Sequence, residues 1–255
     1  MGTWKYQVGA PAEGEHEVEY LWSRVDRLSA SEWPVGTVPP PVPRAPGTAG
    51  FPDGAGLYWP KGDPFPCFPV GGVMLVGHYT DAADKHAARR MNGRAPGDIA
   101  DPRMSTWRNL HKLCARAELD LREIFLTNIY VGLKAGDQHG KFPGAGDRSF
   151  RDWCRAFLDD QIRLMQPRAI VTLGDQPRKE FRWQWGYAGN QARAGIEFEG
   201  AALMHPSSPT FFQRMPDGGQ RIDHLAEILQ QVSRKPGRVA MADSDVPSSP
   251  SPGHP

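Results

Sequence analysis

Residues 72–81 read GVMLVGHYTD. A short, wholly apolar run closes on Gly77 and gives way at once to His78, Tyr79, Thr80 and Asp81. The same pattern returns in three further stretches. Residues 124–130 read IFLTNIY, residues 169–177 read AIVTLGDQP, and residues 201–209 read AALMHPSSP. Continuous apolar runs of this length, bounded by Gly, Pro or polar residues, are the mark of strands buried on both faces. Between them lie stretches with helical spacing. Thr106–Leu119 carries Trp107, Leu110, Leu113 and Cys114, with Ser105 as N-cap. Phe150–Met165 carries Phe150, Trp153, Phe157, Leu158, Ile162 and Met165, after Ser149 as cap. A short helix follows Asp175 over 176–183, and a last one spans Asp223–Ser233. Strand and helix in alternation predict an α/β fold: a three-layer α/β/α sandwich around a central, mainly parallel four-stranded sheet.

Working outward, residues 14–29 predict an amphipathic helix, with Val18, Leu21, Trp22, Val25 and Leu28 along one side. Trp33–Pro69 is dense in Pro and Gly, which remove donors and fix φ, so no regular element is expected there. Its aromatics Phe51, Tyr58, Trp59, Phe65 and Phe68 predict that it is pinned to the core. The expected organisation is therefore 1–71 as helix plus packed segment, 72–234 as the α/β domain, and 235–255 as a disordered tail without apolar periodicity.

Composition narrows the function. The chain has 255 residues and a net charge of +1, and its mean hydropathy is -0.53. No apolar run is long enough to span a bilayer, and no basic start leads into an apolar stretch, so a cytoplasmic protein is expected. Three cysteines are too few and too scattered for a disulfide scaffold, and none has CxxC spacing. GxSxG is absent, GxGxxG does not open a helix, and Gly136–Lys141 (GDQHGK) falls short of a P-loop. His111 and Cys114 read as structural, and no metal or cofactor is expected.

The polar or Gly-rich segments all follow presumed parallel strands, at the end where open α/β sheets bind ligands. Gly77, His78, Asp81, Asn128 and His205 are thereby expected to converge on one crevice. A cationic stretch (Lys85, Arg89, Arg90, Arg94, Arg103, Arg108, Lys112) lies nearby in the chain, as phosphate binding requires. Arg151, Arg155 and Arg163 read as a solvated helix face.

Taken in order, VMLVGHYTD, STWRNL (Ser105–Leu110), FLTNIYVGL, PRAIVTLGDQP and MHPSSP resemble the uracil-DNA glycosylase superfamily, over about Gly72–Leu229. The resemblance implies a monofunctional DNA N-glycosylase that flips a base and hydrolyses its glycosidic bond. It implies His205 as donor to the base carbonyl, Asn128 as reader of the base edge, and Gly77, His78 and Tyr79 as base pocket. Ser105, Arg108, Ser207, Ser208 and Phe211 would meet DNA, with Phe211 and Phe212 as wedge candidates. A monomer acting on DNA, single- or double-stranded, is the implied state. The first motif departs from the family's Gly-Gln-Asp-Pro-Tyr-His: Tyr79 holds the acid position, and Asp81, with Asp84 behind it, is the candidate catalytic carboxylate. No aromatic lies between Asp81 and Ser105 to stack on uracil. The implied base is uracil or, as these departures suggest, a larger or modified pyrimidine such as hydroxymethylated or glucosylated cytosine in phage DNA, in repair or in anti-phage defence. The competing expectation is an inactive nucleic-acid or modified-base binding module on the same fold.

Overall fold

The computed structural model describes residues 16–40, 68–79, 82–84, 105–136, 140–185 and 188–234. Most of the Pro-rich segment, residues 80–81 and 85–104, and the expected tail 235–255 lie outside the described residues, together with Phe51, Tyr58, Trp59 and Phe65. Two short strands, β1 (Thr37–Val38) and β4 (Leu133–Lys134), pair antiparallel. The remaining strands form one sheet: β2 (Val73–Gly77), β3 (Ile124–Asn128), β5 (Ala169–Leu173), β6 (Gly189–Arg193) and β7 (Ile196–Leu203), in the order β3-β2-β5-β7-β6.

The four apolar runs are the four parallel neighbours β3-β2-β5-β7. The sheet has a fifth strand that the sequence reading did not expect. β6 runs antiparallel to β7 around a tight turn at Ala194 and Gly195, both at positive φ. Its sequence, GNQAR, alternates between half-buried and exposed because it is an edge. It therefore lacks the apolar run that betrays a central strand. β7 likewise begins at Ile196, earlier than the expected Ala201, and ends at Leu203.

Helices cover both faces, as three layers require. Met74, Val76, Phe125 and Ile170 point to the face packed by α1 (Glu17–Asp26) and α3 (Arg148–Met165). Val73, Leu75, Leu126 and Val171 point to the face packed by α2 (Ser105–Arg116) and α5 (Arg221–Arg234). Alternate strand residues thus feed opposite cores. A short helix, α4 (Asp175–Phe181), follows β5. No helix among the described residues is long and apolar enough to cross a membrane.

Several boundaries differ from the sequence reading, each for a local reason. Asp147, not Ser149, caps α3; its carboxylate accepts from Phe150 N at 2.9 Å. Ser105 lies inside α2 rather than before it. β1 forms within the stretch where Pro was expected to forbid regular structure, because Thr37 and Val38 lie in the gap between Pro34 and Pro39 and keep their donors. Gly132, at φ +95°, lets this ladder close: a Cβ there would lie 2.7 Å from the Trp33 ring and 2.8 Å from the Val38 carbonyl. Trp33 packs on Phe150 (centroids 5.5 Å apart), and Phe68 packs edge-on against Phe125 at 5.3 Å. Both described ends of the Pro-rich segment are thus pinned by aromatic contacts. Arg24 of α1 and Arg163 both pair with Asp160, which is 1% exposed on α3. Such a buried acid is tolerated because two guanidinium groups replace its water.

Candidate functional site

The chain makes its turn of direction at β2. From there it crosses to β3 on one side over α2, then returns past β2 to β5 on the other side over α3. α2, which comes after β2, and α4, which comes after β5, pack against opposite cores, so the chain leaves these two adjacent strands toward opposite faces of the sheet. That is the switch point at which open α/β sheets place ligands. This point is flanked by the ends of β3 and β7, whose backbones are three inter-strand spacings apart, roughly 14 Å. Asn128 ends the first of these strands, and His205 stands just past the second.

On the β3 flank, Gly77 and Asn128 are register partners. The pairing continues beyond the strands, with Ile129 N donating to Gly77 O (2.9 Å) and Tyr130 N to His78 O (3.0 Å). The Asn128 side chain lies across Gly77, so that a Cβ on residue 77 would sit 2.3 Å from Asn128 Oδ1. Glycine is required here by close approach alone. Asn128 is 8% exposed. Thr127 beside it is buried and donates to Gln161 Oε1 of α3 at 2.6 Å, which fastens the strand end to the helix layer.

On the β7 flank, the turn His205-Pro206-Ser207-Ser208 holds the imidazole in one state. Ser207 N donates to His205 Nδ1 at 3.2 Å, and Ser207 Oγ lies 2.7 Å from the same nitrogen. A backbone N–H can only donate, so Nδ1 is an acceptor. The neutral ring therefore carries its proton on Nε2. Burial lowers the His205 pKa below the usual histidine value, which favours that neutral form. Gly174, after β5, backs the ring. It has φ +106°, donates to Leu203 O at 2.8 Å, and a Cβ there would lie 3.4 Å from His205 Cβ. Ser208 N closes the turn on His205 O at 2.9 Å, and Ser208 Oγ lies 3.1 Å from Thr210 Oγ1.

Two residues that the sequence reading did not single out shape this site. Asn109 of α2, 5% exposed, donates from Nδ2 to Pro206 O at 2.6 Å. Lys134 of β4 is 1% exposed, yet its ammonium lies 4.6 Å over the Tyr79 ring and bonds Gly140 O at 2.5 Å. The Tyr79 hydroxyl donates to the same carbonyl at 3.2 Å, and the Tyr79 ring stacks on Phe142 at 5.5 Å. No periodicity in the sequence reveals either residue, because each acts through one long-range contact.

His78 packs edge-on against both Tyr79 and Tyr130, at 5.2 Å each. Burial drives its pKa from 6.5 down to about 4; the Glu180 carboxylate opposes the shift, and the Lys134 ammonium adds to it. Glu180 is itself held by Tyr130 Oη (3.3 Å) and Arg155 (3.0 Å). Between pH 6.5 and about 4 the unfolded chain binds a proton at His78 that the folded chain refuses. His78 therefore contributes stability that is complete above 6.5 and drains away as the pH falls to about 4. Urea unfolding at several pH values should show a shallower acid decline in His78→Gln than in the parent; parallel declines would refute this.

The other expected site residues fall as follows. Asp81 and the Ser105 side chain lie outside the described residues, as do Lys85, Arg89, Arg90, Arg94 and Arg103. Asp84 is exposed, with its backbone N–H on Gly136 O. Arg108 and Ser207 are exposed, and Ser208 is half-buried. Phe211 is not at the surface: it is 0% exposed within the α2/α5 core, so its expected place against DNA is corrected to core packing. The ring that faces out is Phe212, 39% exposed, with the Lys112 ammonium 5.2 Å from its centroid. On α3, Arg155 and Arg163 are paired with acids, and Arg151 donates to Ala145 O. Cys114 is buried, which pushes its thiol up to about 12, as for an inert core cysteine. Among the described residues no group of three His, Cys, Asp or Glu gathers as a metal site would need. Compared with known proteins, the chain matches no family model and no curated sequence.

Proposed function

We propose that the protein is a DNA glycosylase of uracil-DNA glycosylase type, built on a glycosylase-like sandwich whose parallel core is β3-β2-β5-β7. It extrudes a pyrimidine from DNA and hydrolyses the bond between the base and C1′. The observation that carries this reading is the His205 turn, which offers an Nε2–H donor on a neutral ring at the same C-terminal end of the parallel strands as the Asn128 carboxamide. As the glycosidic bond breaks, its electron pair goes to the base, and the sugar becomes oxocarbenium-like. A preorganised donor at the base oxygen stabilises the charge that develops there. Asn128 offers both a donor and an acceptor, which is what the polar edge of a pyrimidine asks for. A water then adds to C1′ and loses its proton, leaving an abasic site. Asp81 is the candidate to take that proton.

Phe212 and Lys112, beside the His205 turn, are the aromatic and cationic types that support an unstacked strand. The rewritten first loop, with Tyr79 packed under Lys134 and Phe142, supports a substrate other than plain uracil, such as a hydroxymethylated or glucosylated cytosine in phage DNA. One observation favours the second reading, an inactive binder of modified bases: the Tyr79 hydroxyl, at the acid position, is already committed to Gly140 O.

The deciding experiment is alkali-sensitive strand cleavage on labelled single- and double-stranded oligonucleotides. These would carry uracil, thymine mismatches, 5-hydroxymethylcytosine or glucosylated cytosine. Cleavage at one base, lost in His205→Ala, is the expected result. Salt-sensitive binding without cleavage of any substrate would overturn it in favour of the binder.

A further inference from the structure

The contact between α2 and the His205 turn has no place in the chemistry above. Asn109 is buried in α2, and its carboxamide reaches across to the peptide between Pro206 and Ser207. That peptide supplies, on its other side, the Ser207 N–H that fixes the His205 tautomer. A carbonyl can only accept, so the carboxamide must present Nδ2 to Pro206 O; flipping it would set two acceptors face to face. Its own Oδ1 is then left buried with no hydrogen-bond partner among the described residues. A side chain chosen for stability alone would not retain an unmet acceptor in the interior. Asn109 is thus the buried side chain bonded to the carbonyl of this peptide, opposite its Ser207 N–H.

We infer that Asn109 is a positioning residue that orients the Pro206–Ser207 peptide, and through the Ser207 N–H holds His205 as the Nε2–H tautomer. Its kinetic consequence rests on the glycosylase reading, but its consequence for His205 does not. The two variants that test it are Asn109→Leu, which removes the donor, and Asn109→Asp, which replaces it by a group that donates only when protonated. A carboxyl buried against a carbonyl has its pKa raised, so the Asp variant regains the bond as the pH falls.

Three readouts are taken on folded protein: thermal unfolding, the imidazole nitrogen chemical shifts of His205, and single-turnover base release alongside DNA affinity. In the parent, the shifts should report Nε2–H. In Asn109→Leu they should move toward a mixture of tautomers. Base release should fall about tenfold or more, as for a displaced catalytic group, with DNA affinity changed less than about threefold. In Asn109→Asp, release should rise as the pH falls from about 8 to about 6.5, a range over which the parent stays level. Unmoved His205 shifts in both variants would overturn the inference, as would an Asp profile parallel to that of the parent. If Asn109→Leu does not fold, the near-isosteric Asp variant decides alone. If the parent releases no base, the glycosylase reading fails, and the His205 shifts still decide the role of Asn109.

Discussion

His205→Ala should lower the rate of base release by about 10²–10³-fold, the usual loss when one preorganised donor to a developing anion is removed. The loss should appear in the chemical step and not in DNA binding, because the Nε2–H bond strengthens only as charge reaches the base oxygen. The fold should survive. The imidazole is only half-buried, and its partner on Nδ1 is the exposed Ser207, which water can satisfy in its place. The parent rate should stay level from neutral pH to below 6.5, because burial holds the ring neutral there, and should fall only at more acid pH. Single-turnover kinetics on the cleaved oligonucleotide check both statements. A rate within a few-fold of the parent would remove His205 from the chemistry.

Gly77→Ala should be nearly as damaging, for a purely steric reason. The new methyl would meet Asn128 Oδ1 at 2.3 Å, far inside van der Waals contact. The backbones cannot separate to make room, since β2 and β3 are paired from Val73↔Ile124 to Gly77↔Asn128 and all five residues of each are buried. The side chain must therefore yield, which takes the Asn128 amide, proposed to read the base, out of place. A misplacement of about 1 Å costs on the order of 100-fold in rate, and overpacking costs about 1–3 kcal/mol of stability. The double variant with Asn128→Ala separates the two effects. Once the carboxamide is gone, the added methyl has nothing to displace, so the double variant should be no slower than Asn128→Ala alone. Additive losses would mean that Gly77 acts through the backbone and not through Asn128.

The central strands were legible because burial on both faces leaves little but apolar residues in them. The positions of Gly77, Asn128 and His205 were legible for a related reason: a buried run that stops at a Gly, Asn or His must stop at a sheet end. β6 was not legible, since an edge strand with one wet side carries no such run. Phe211 misled, because an aromatic after a Ser-Pro turn reads the same whether it faces a groove or the core. The helix cap at Asp147 was missed because Asp and Ser both serve as caps, and only the path of the chain chooses between them.

Fold class and the alternation of layers follow from the pattern of apolar residues, since each element must bury one side and the pattern says which. The sheet order does not follow from it. Whether β5 lies beside β2 or beside β3 is a matter of which pairing closes both cores, and that choice creates the switch point between β2 and β5. Residues joined by one contact across the fold were likewise decided by tertiary structure alone. Asn109 meets Pro206 across 97 positions of the chain, and Lys134 meets Tyr79 only because β4 and the loop after β2 share a wall. Hydrophobic burial is additive along a chain and can be read locally; a single directional hydrogen bond or a cation over a ring depends on two distant backbones arriving together.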